Sequence, residues 1–278
     1  VTYQIKLKPK PPKVFVGIPT GWTKEYSLLY MLAALREVDY NPNYMKICFA
    51  VTDLGDSDSR KFIKDVKALV EHSNFMCETE VITTTPTEQE HGEWGSYSFV
   101  VKNQRVLRQK AIDEDWQYWW ILGGDNPPPR KALKRLMALN ADIAYALVYQ
   151  RPIKDFHYHK AWPLVFRHVW TIQDLEHNGL NEEQKRLLTK AWVEVGFMRQ
   201  LCIEKNWRIH KVLRNVASGD GCCLVKRQVF EKVPYRFGKM GYQSPDLQFY
   251  SDARVAGFNT VVDMKLHCPH IAMDGLAY

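Results

Sequence analysis

The residues best placed to do chemistry are acids at the ends of apolar runs. Residues 119–129 read WWILGGDNPPP. Trp119, Trp120, Ile121 and Leu122 form a short apolar stretch suited to a strand buried on both faces. Gly123 and Gly124 allow a turn or a close backbone approach, and Asp125 and Asn126 follow where the strand emerges. Three prolines then stop the strand. In open α/β sheets, ligands bind beyond the carboxyl ends of the strands. A carboxylate there can hold a divalent cation and, beside it, a diphosphate. The same stretch also reads as a buried strand closed by an Asx–proline turn. A second acid, Asp53, ends another apolar run (residues 47–51). Asp56 and Asp58 read as cap and dipole partners of the helix that follows. Asp53 lies before that helix and suits a ligand-facing role better.

Elements of a particular kind must carry these acids. Residues 14–18 (VFVGI) predict a first buried strand, closed by a Pro19-Thr20-Gly21 loop. Thr23 is placed to cap a helix to about residue 37, with Leu28, Leu29, Leu32 and Leu35 on one face. After the second strand, Phe62, Ile63, Val66, Leu69 and Val70 recur at helical spacing. Val81 and Ile82 mark a short third strand, and residues 83–98 a long polar loop. A helix over 99–112 carries Lys102, Asn103 and Arg105 into the Trp119 strand. A helix over 130–139 and a strand over 142–149 follow. Such alternation predicts an α/β fold with a mostly parallel central sheet flanked by helices.

Residues 151–210 break the rhythm. His157, His159, His168 and His177 lack the HExxH spacing and take no role. A helix is predicted over 181–204, and the segment reads as an insertion walling an acceptor site. The pattern then resumes with a strand at 219–225 and a short helix at 226–233. Ser244-Pro245 opens a further helix that Gly257 ends. A last strand over 260–263 precedes His267, Cys268, Pro269 and His270.

Composition narrows the partners. The 278 residues are 46% hydrophobic, enough for a sizeable core. Net charge is +7 and the pI about 9.0, which suits anionic partners. Nine Trp and fourteen Tyr can floor nucleoside or sugar sites as well as fill a core. Six cysteines show neither a disulfide framework nor a Cys-x-x-Cys zinc spacing, which points to reduced thiols and a cytoplasmic setting. No apolar run reaches membrane-spanning length. Residues 1–13 form a basic, proline-rich arm that could rest on an anionic membrane. No helix-turn-helix, RNA-recognition or zinc-finger signature is present, so nucleic acid is not an expected partner.

Taken together, these stretches resemble the GT-A glycosyltransferases, particularly the family 2-like group that uses nucleotide-diphosphate sugars. WWILGGDNPPPRKAL has the shape of that family's strand, DxD motif and helix, with glycines at 123 and 124 in place of the first acids. Asp125 matches the last acid. SGDGCCLVKRQVF (218–230), SPDLQFYSDARVAGF (244–258) and VVDMKLHCPH (261–270) match three further family stretches in order. The resemblance covers about residues 14–150 and 216–270.

The resemblance implies one GT-A domain over 14–278, with a nucleotide-binding half (14–150) and an acceptor-side half (151–278). It implies a sugar moved from a UDP- or GDP-sugar to a glycan, lipid or protein hydroxyl, with inversion. Asp125 would hold Mn²⁺ or Mg²⁺ together with His270, since the family adds a C-terminal histidine; imidazole favours Mn²⁺. Asp246 matches the family's catalytic base, although an acid in the first turn of a helix also has a dipole reason to be there. Pro19, Thr20 and Gly21 would contact the nucleoside and Asp53 the base. Gly124 would border the diphosphate, and Lys102, Asn103 and Arg105 could reach it. The missing acids leave a second reading: a GT-A-like domain that binds a nucleotide or glycan without turnover.

Overall fold

Apolar runs too short for helices, each bounded by turn residues, become the strands of one sheet. The computed structural model describes residues 9–88, 97–150, 162–163, 165–167, 211–214, 216–218, 221–236 and 244–273. The strands are β1 (Val14–Thr20), β2 (Met45–Thr52), β3 (Glu78–Thr84), β4 (Tyr118–Leu122), β5 (Ile143–Gln150), β6 (Trp162–Pro163), β7 (Val165–Arg167), β8 (Val212–Arg214), β9 (Val216–Ser218), β10 (Cys222–Lys226) and β11 (Thr260–Cys268). The helices are α1 (Glu25–Arg36), α2 (Ser57–His72), α3 (Tyr97–Asp113), α4 (Ala132–Ala138), α5 (Arg227–Lys232) and α6 (Pro245–Val255). The sheet order is β3-β2-β1-β4-β10-β5-β11-β8, with β6 beside β5; β7 and β9 pair separately. β1 to β5 and β11 run one way. β10 runs against both its neighbours, and β6 and β8 are also antiparallel. This is the predicted class, a mostly parallel sheet flanked by helices.

Both faces of the sheet are covered, which is why its strands read as continuous apolar runs. Val14, Val16, Trp120 and Leu122 face a core closed by α1, α2 and α4. Phe15, Trp119 and Ile121 face a second core closed by α3, α5 and α6. Trp119 is fully buried and meets the ring edges of Phe230, Tyr235 and Phe249. α6 is thereby fixed over the strand that leads to Asp125.

Several boundaries differ from expectation. β1 continues through Pro19 and Thr20, which pair with Ala50 and Val51 of β2. Its pairing with β4 ends at Gly17, so Pro19 lies where that side of β1 is an edge and a missing N–H is tolerated. Thr23 caps nothing. It lies inside a 3₁₀ turn (Trp22–Lys24), and α1 begins after Lys24. Leu29 is 65% exposed, and Met31 completes the buried stripe Leu28, Met31, Leu32 and Leu35. Asp56 does cap α2, accepting from Ser59 N at 2.7 Å. Ser244 and Pro245 open α6 as expected, but the serine hydroxyl makes no capping bond. β11 is much longer than residues 260–263 because a register shift between Asp263 and His267 carries the strand past an irregularity. The histidines at 157, 159, 168 and 177 and the helix over 181–204 lie outside the described residues.

An ion cluster closes the opposite end of the sheet from Asp125. The Lys46 side chain is 5% exposed and pairs with Glu78, Glu80 and Glu114 at 2.7–3.0 Å. Lys110 joins Glu80 and Glu114 at 2.9 Å. Burial pushes the Glu114 carboxyl up, but bonds from Trp116, Lys46 and Lys110 win and hold it at about 2. A depressed carboxyl contributes stability above its unfolded value and loses it as pH falls towards its folded value. Glu114→Gln is therefore expected to lower stability at pH 7 by about 2 kcal/mol after allowance for solvent screening. It should also flatten the loss of stability between about pH 4 and pH 2. Urea unfolding of both proteins across that range checks this; parallel curves would remove the assignment.

Candidate functional site

The glycines at 123 and 124 have a packing cause. A Cβ on Gly123 would run into the Asn126 side chain, and one on Gly221 would meet Asn126 at 2.9 Å. Asn126 fills the space that both glycines leave, and its amide donates to the Pro269 carbonyl at 3.1 Å. Gly124 lies against β1: a Cβ there would meet Thr20 Oγ1 at 2.9 Å and the Pro19 carbonyl at 3.0 Å. Ser27 Oγ donates to the Gly124 carbonyl at 2.9 Å. An acid at either position would collide with these neighbours. Gly123→Ala is expected to cost about 1–3 kcal/mol by overpacking, visible as a lowered melting temperature. An unchanged melting temperature would show that Asn126 yields freely.

The same contacts bring the end of β11 to the end of β4. Ile271 N donates to the Asp125 carbonyl at 2.9 Å, and Cys268 Sγ lies 3.6 Å from the Pro127 carbonyl. His270 is thus delivered to Asp125: its Nε2 lies 3.0 Å from Asp125 Oδ2, and its Nδ1 lies 3.2 Å from the Tyr149 carbonyl. Each ring nitrogen thus faces an oxygen, one of a carboxylate and one of a backbone carbonyl.

Two more residues reach the same oxygen. The Lys24 ammonium forms an ion pair with Asp125 Oδ2, and the Tyr26 hydroxyl lies 3.3 Å from it. Lys24 is turned there by the 3₁₀ turn before α1, whose last amide donates to the Gly21 carbonyl at 2.8 Å. The Asp125 side chain is only 7% exposed, whereas that of Lys24, which covers it, is 38% exposed. Burial pushes the Asp125 carboxyl up, but the His270 bond and the charges of Lys24 and His270 outweigh it and hold it at about 2. Burial pulls Lys24 down, and Asp125 more than restores it, leaving the ammonium above its ordinary value. Sequence reasoning missed Lys24 and Tyr26. The available signal was a cation just past a glycine turn at the carboxyl end of β1.

The other expected residues fall into two groups. Pro19, Thr20 and Gly21 stand at the carboxyl end of β1, beside Gly124. Asp53 stands at the same edge, with Oδ1 accepting from Gly55 N at 2.8 Å and Ser59 Oγ at 3.2 Å. Lys102 is half-buried on α3. Asn103 and Arg105 are engaged elsewhere. Asn103 is buried, bonds Thr84, and donates to Thr52 Oγ1 at 3.0 Å and the Thr20 carbonyl at 3.4 Å. It ties together the ends of β1, β2 and β3. Arg105 Nε donates to the Tyr235 carbonyl at 2.9 Å, towards the segment after α5.

Asp246 lies in the first turn of α6, half-buried, with Oδ1 accepting from Leu247 N at 3.0 Å. α6 ends near Gly257, and Thr260 then pairs with Ile143 at the start of β5. An eleven-residue helix rises about 16 Å. From Gly257 the helix thus runs back in the direction of the carboxyl edge of the sheet. Arg236 pins the helix through Asp252, with both bonds at 2.7 Å.

Among the described residues, no three His, Cys, Asp or Glu side chains converge as a metal cluster. Asp125 and His270 form a two-donor site. One carboxylate oxygen and one imidazole nitrogen fit a divalent ion that completes its shell from phosphate and water. The ammonium already at Oδ2 shows that the position accepts a cation. No helix among the described residues is long and apolar enough to cross a membrane.

No protein-family model and no curated protein sequence matches the chain. Solved structures do. S. aureus TarS aligns with a TM-score of 0.52 at 11% identity, over 92% of this chain and 36% of that one. S. aureus TarS 1–349 in complex with UDP-GlcNAc gives 0.52 at 11% identity, over 92% and 57%. The mannosyltransferase PcManGT from Pyrobaculum calidifontis, in complex with GDP-Man and Mn²⁺, gives 0.51 at 11% identity, over 96% and 59%. The likeness establishes a shared fold. The chain spans 36–59% of the length of these structures.

Proposed function

We propose that this chain is a nucleotide-sugar-dependent glycosyltransferase, moving a sugar from a UDP- or GDP-sugar to a hydroxyl of a glycan, lipid or protein. The observation that carries this reading is the Asp125–His270 pair at the carboxyl edge of a sheet. Proteins sharing that fold were solved with UDP, UDP-GlcNAc and GDP-Man. Asp125 and His270 are the residues that would hold Mn²⁺ or Mg²⁺, with the imidazole favouring Mn²⁺. A divalent ion, when bound, neutralises charge on the leaving diphosphate.

The chain's own residues supply the remainder. Asp125, ionised at every working pH, keeps a fixed negative charge where a cation is needed. Thr20, Gly21 and Asp53, at adjoining strand ends, receive the nucleoside. Asp246 takes the acceptor hydroxyl's proton as the oxygen attacks the sugar carbon, and the bond to the diphosphate breaks on the opposite face. Inversion follows from that single displacement. Residues 1–13 offer a basic arm for an anionic membrane surface or a phosphorylated acceptor.

Incubation with UDP- and GDP-sugars and Mn²⁺ tests this. Release of UDP or GDP, with sugar passed to water or to an added acceptor, is the expected result. Tight nucleotide binding without turnover would favour the binding-only reading. Absence of any nucleotide binding would overturn both.

A further inference from the structure

Three donors converge on one oxygen, Asp125 Oδ2: the Lys24 ammonium, the His270 imidazole at 3.0 Å and the Tyr26 hydroxyl at 3.3 Å. The Lys24 backbone is anchored by its turn, so only its side chain spans the gap to β4. That side chain is also the more exposed partner, while the carboxylate it pairs with is largely buried. A divalent ion bound through a carboxylate sits about 2.0–2.6 Å from its oxygen. An ammonium hydrogen-bonded to the same oxygen would then be a few ångströms from a doubly positive ion in a poorly solvated place, which is strongly repulsive. The two cations exclude one another at Oδ2.

We propose that Lys24 is the resident cation of this site: it occupies Asp125 in the free protein, leaves when a divalent ion binds, and on leaving pairs with the donor's diphosphate. This rests on the glycosyltransferase reading for the identity of the anion, and on the Lys24–Asp125 contact for the exclusion. Lys24 follows Gly21 by three residues at the carboxyl end of β1, where the nucleotide is expected. A displaced ammonium there would find an anionic partner in the nucleotide's diphosphate. Metal and nucleotide binding thus become coupled through one side chain, and the coupling is reciprocal.

The test is Mn²⁺ binding to the full chain, read from the electron paramagnetic resonance signal of free Mn²⁺, with and without UDP or GDP. Without nucleotide, Lys24→Met should bind Mn²⁺ about tenfold more tightly than the parent, and Lys24→Arg should bind as weakly as the parent. With nucleotide, Mn²⁺ affinity should rise in the parent by a larger factor than in Lys24→Met. Unchanged or weaker Mn²⁺ binding in Lys24→Met overturns the proposal. So does tighter binding with the nucleotide effect intact, which is what loss of a nearby charge alone would give. If no variant binds UDP or GDP, the donor reading fails, while the nucleotide-free arm still decides the exclusion. Circular dichroism melting confirms that each variant is folded.

Discussion

Asp125→Asn is expected to reduce sugar transfer by about 10²–10³-fold while the protein stays folded. The amide is isosteric and keeps an oxygen for His270 and Lys24, and Lys24 can turn to water. The cost in stability should stay near 1–2 kcal/mol, the scale of a weakened charged hydrogen bond. What disappears is the negative charge that attracts a cation, so the loss should appear in turnover at saturating donor. The sign with pH is fixed: a carboxyl held at about 2 stays charged down to acid conditions. Its contribution to stability is present above about pH 4 and lost as pH falls towards 2. Turnover within threefold of the parent, in a folded variant, would remove Asp125 from the mechanism.

Asp246→Asn should lower turnover by about 10²–10⁴-fold, the range for losing a positioned general base. UDP and GDP affinity should hardly change, because the acceptor side carries the defect. A structural role would act differently: it would lower the melting temperature and loosen α6, as breaking the Arg236–Asp252 pair should. Parent-like turnover, or a variant that loses nucleotide binding together with turnover, would count against the base assignment.

The sheet was legible in the sequence because both faces are buried, and short apolar runs at 14–18, 47–51 and 119–122 can hardly be anything else. The caps and turns were less so. Threonine at 23 suits a cap, but hydrophobic spacing does not reveal the 3₁₀ turn inserted before the helix. That turn is what sends Lys24 across 101 residues of sequence to Asp125. The Asn103 amide has the chemistry to suit a diphosphate, yet it is buried. Its burial follows from three neighbouring strands that each end in threonine, a pattern visible in the sequence. The glycines at 123 and 124 looked like a weakened motif. Their cause, Asn126 beneath one and Thr20 beside the other, is a packing relation that only the fold discloses.

The antiparallel strand β10 has a consequence for how the chain reaches this state. Leu122 and Ile143 are close in sequence, yet their strands never pair; Cys222 to Lys226, made about a hundred residues after Leu122, must slide between them. During synthesis, residues 14–150 emerge with two unsatisfied strand edges flanking an open slot. Non-local closure of this kind is slow. A nascent chain stalled before residue 226 is a species for chaperones to hold, and an isolated piece ending at 150 should aggregate rather than fold.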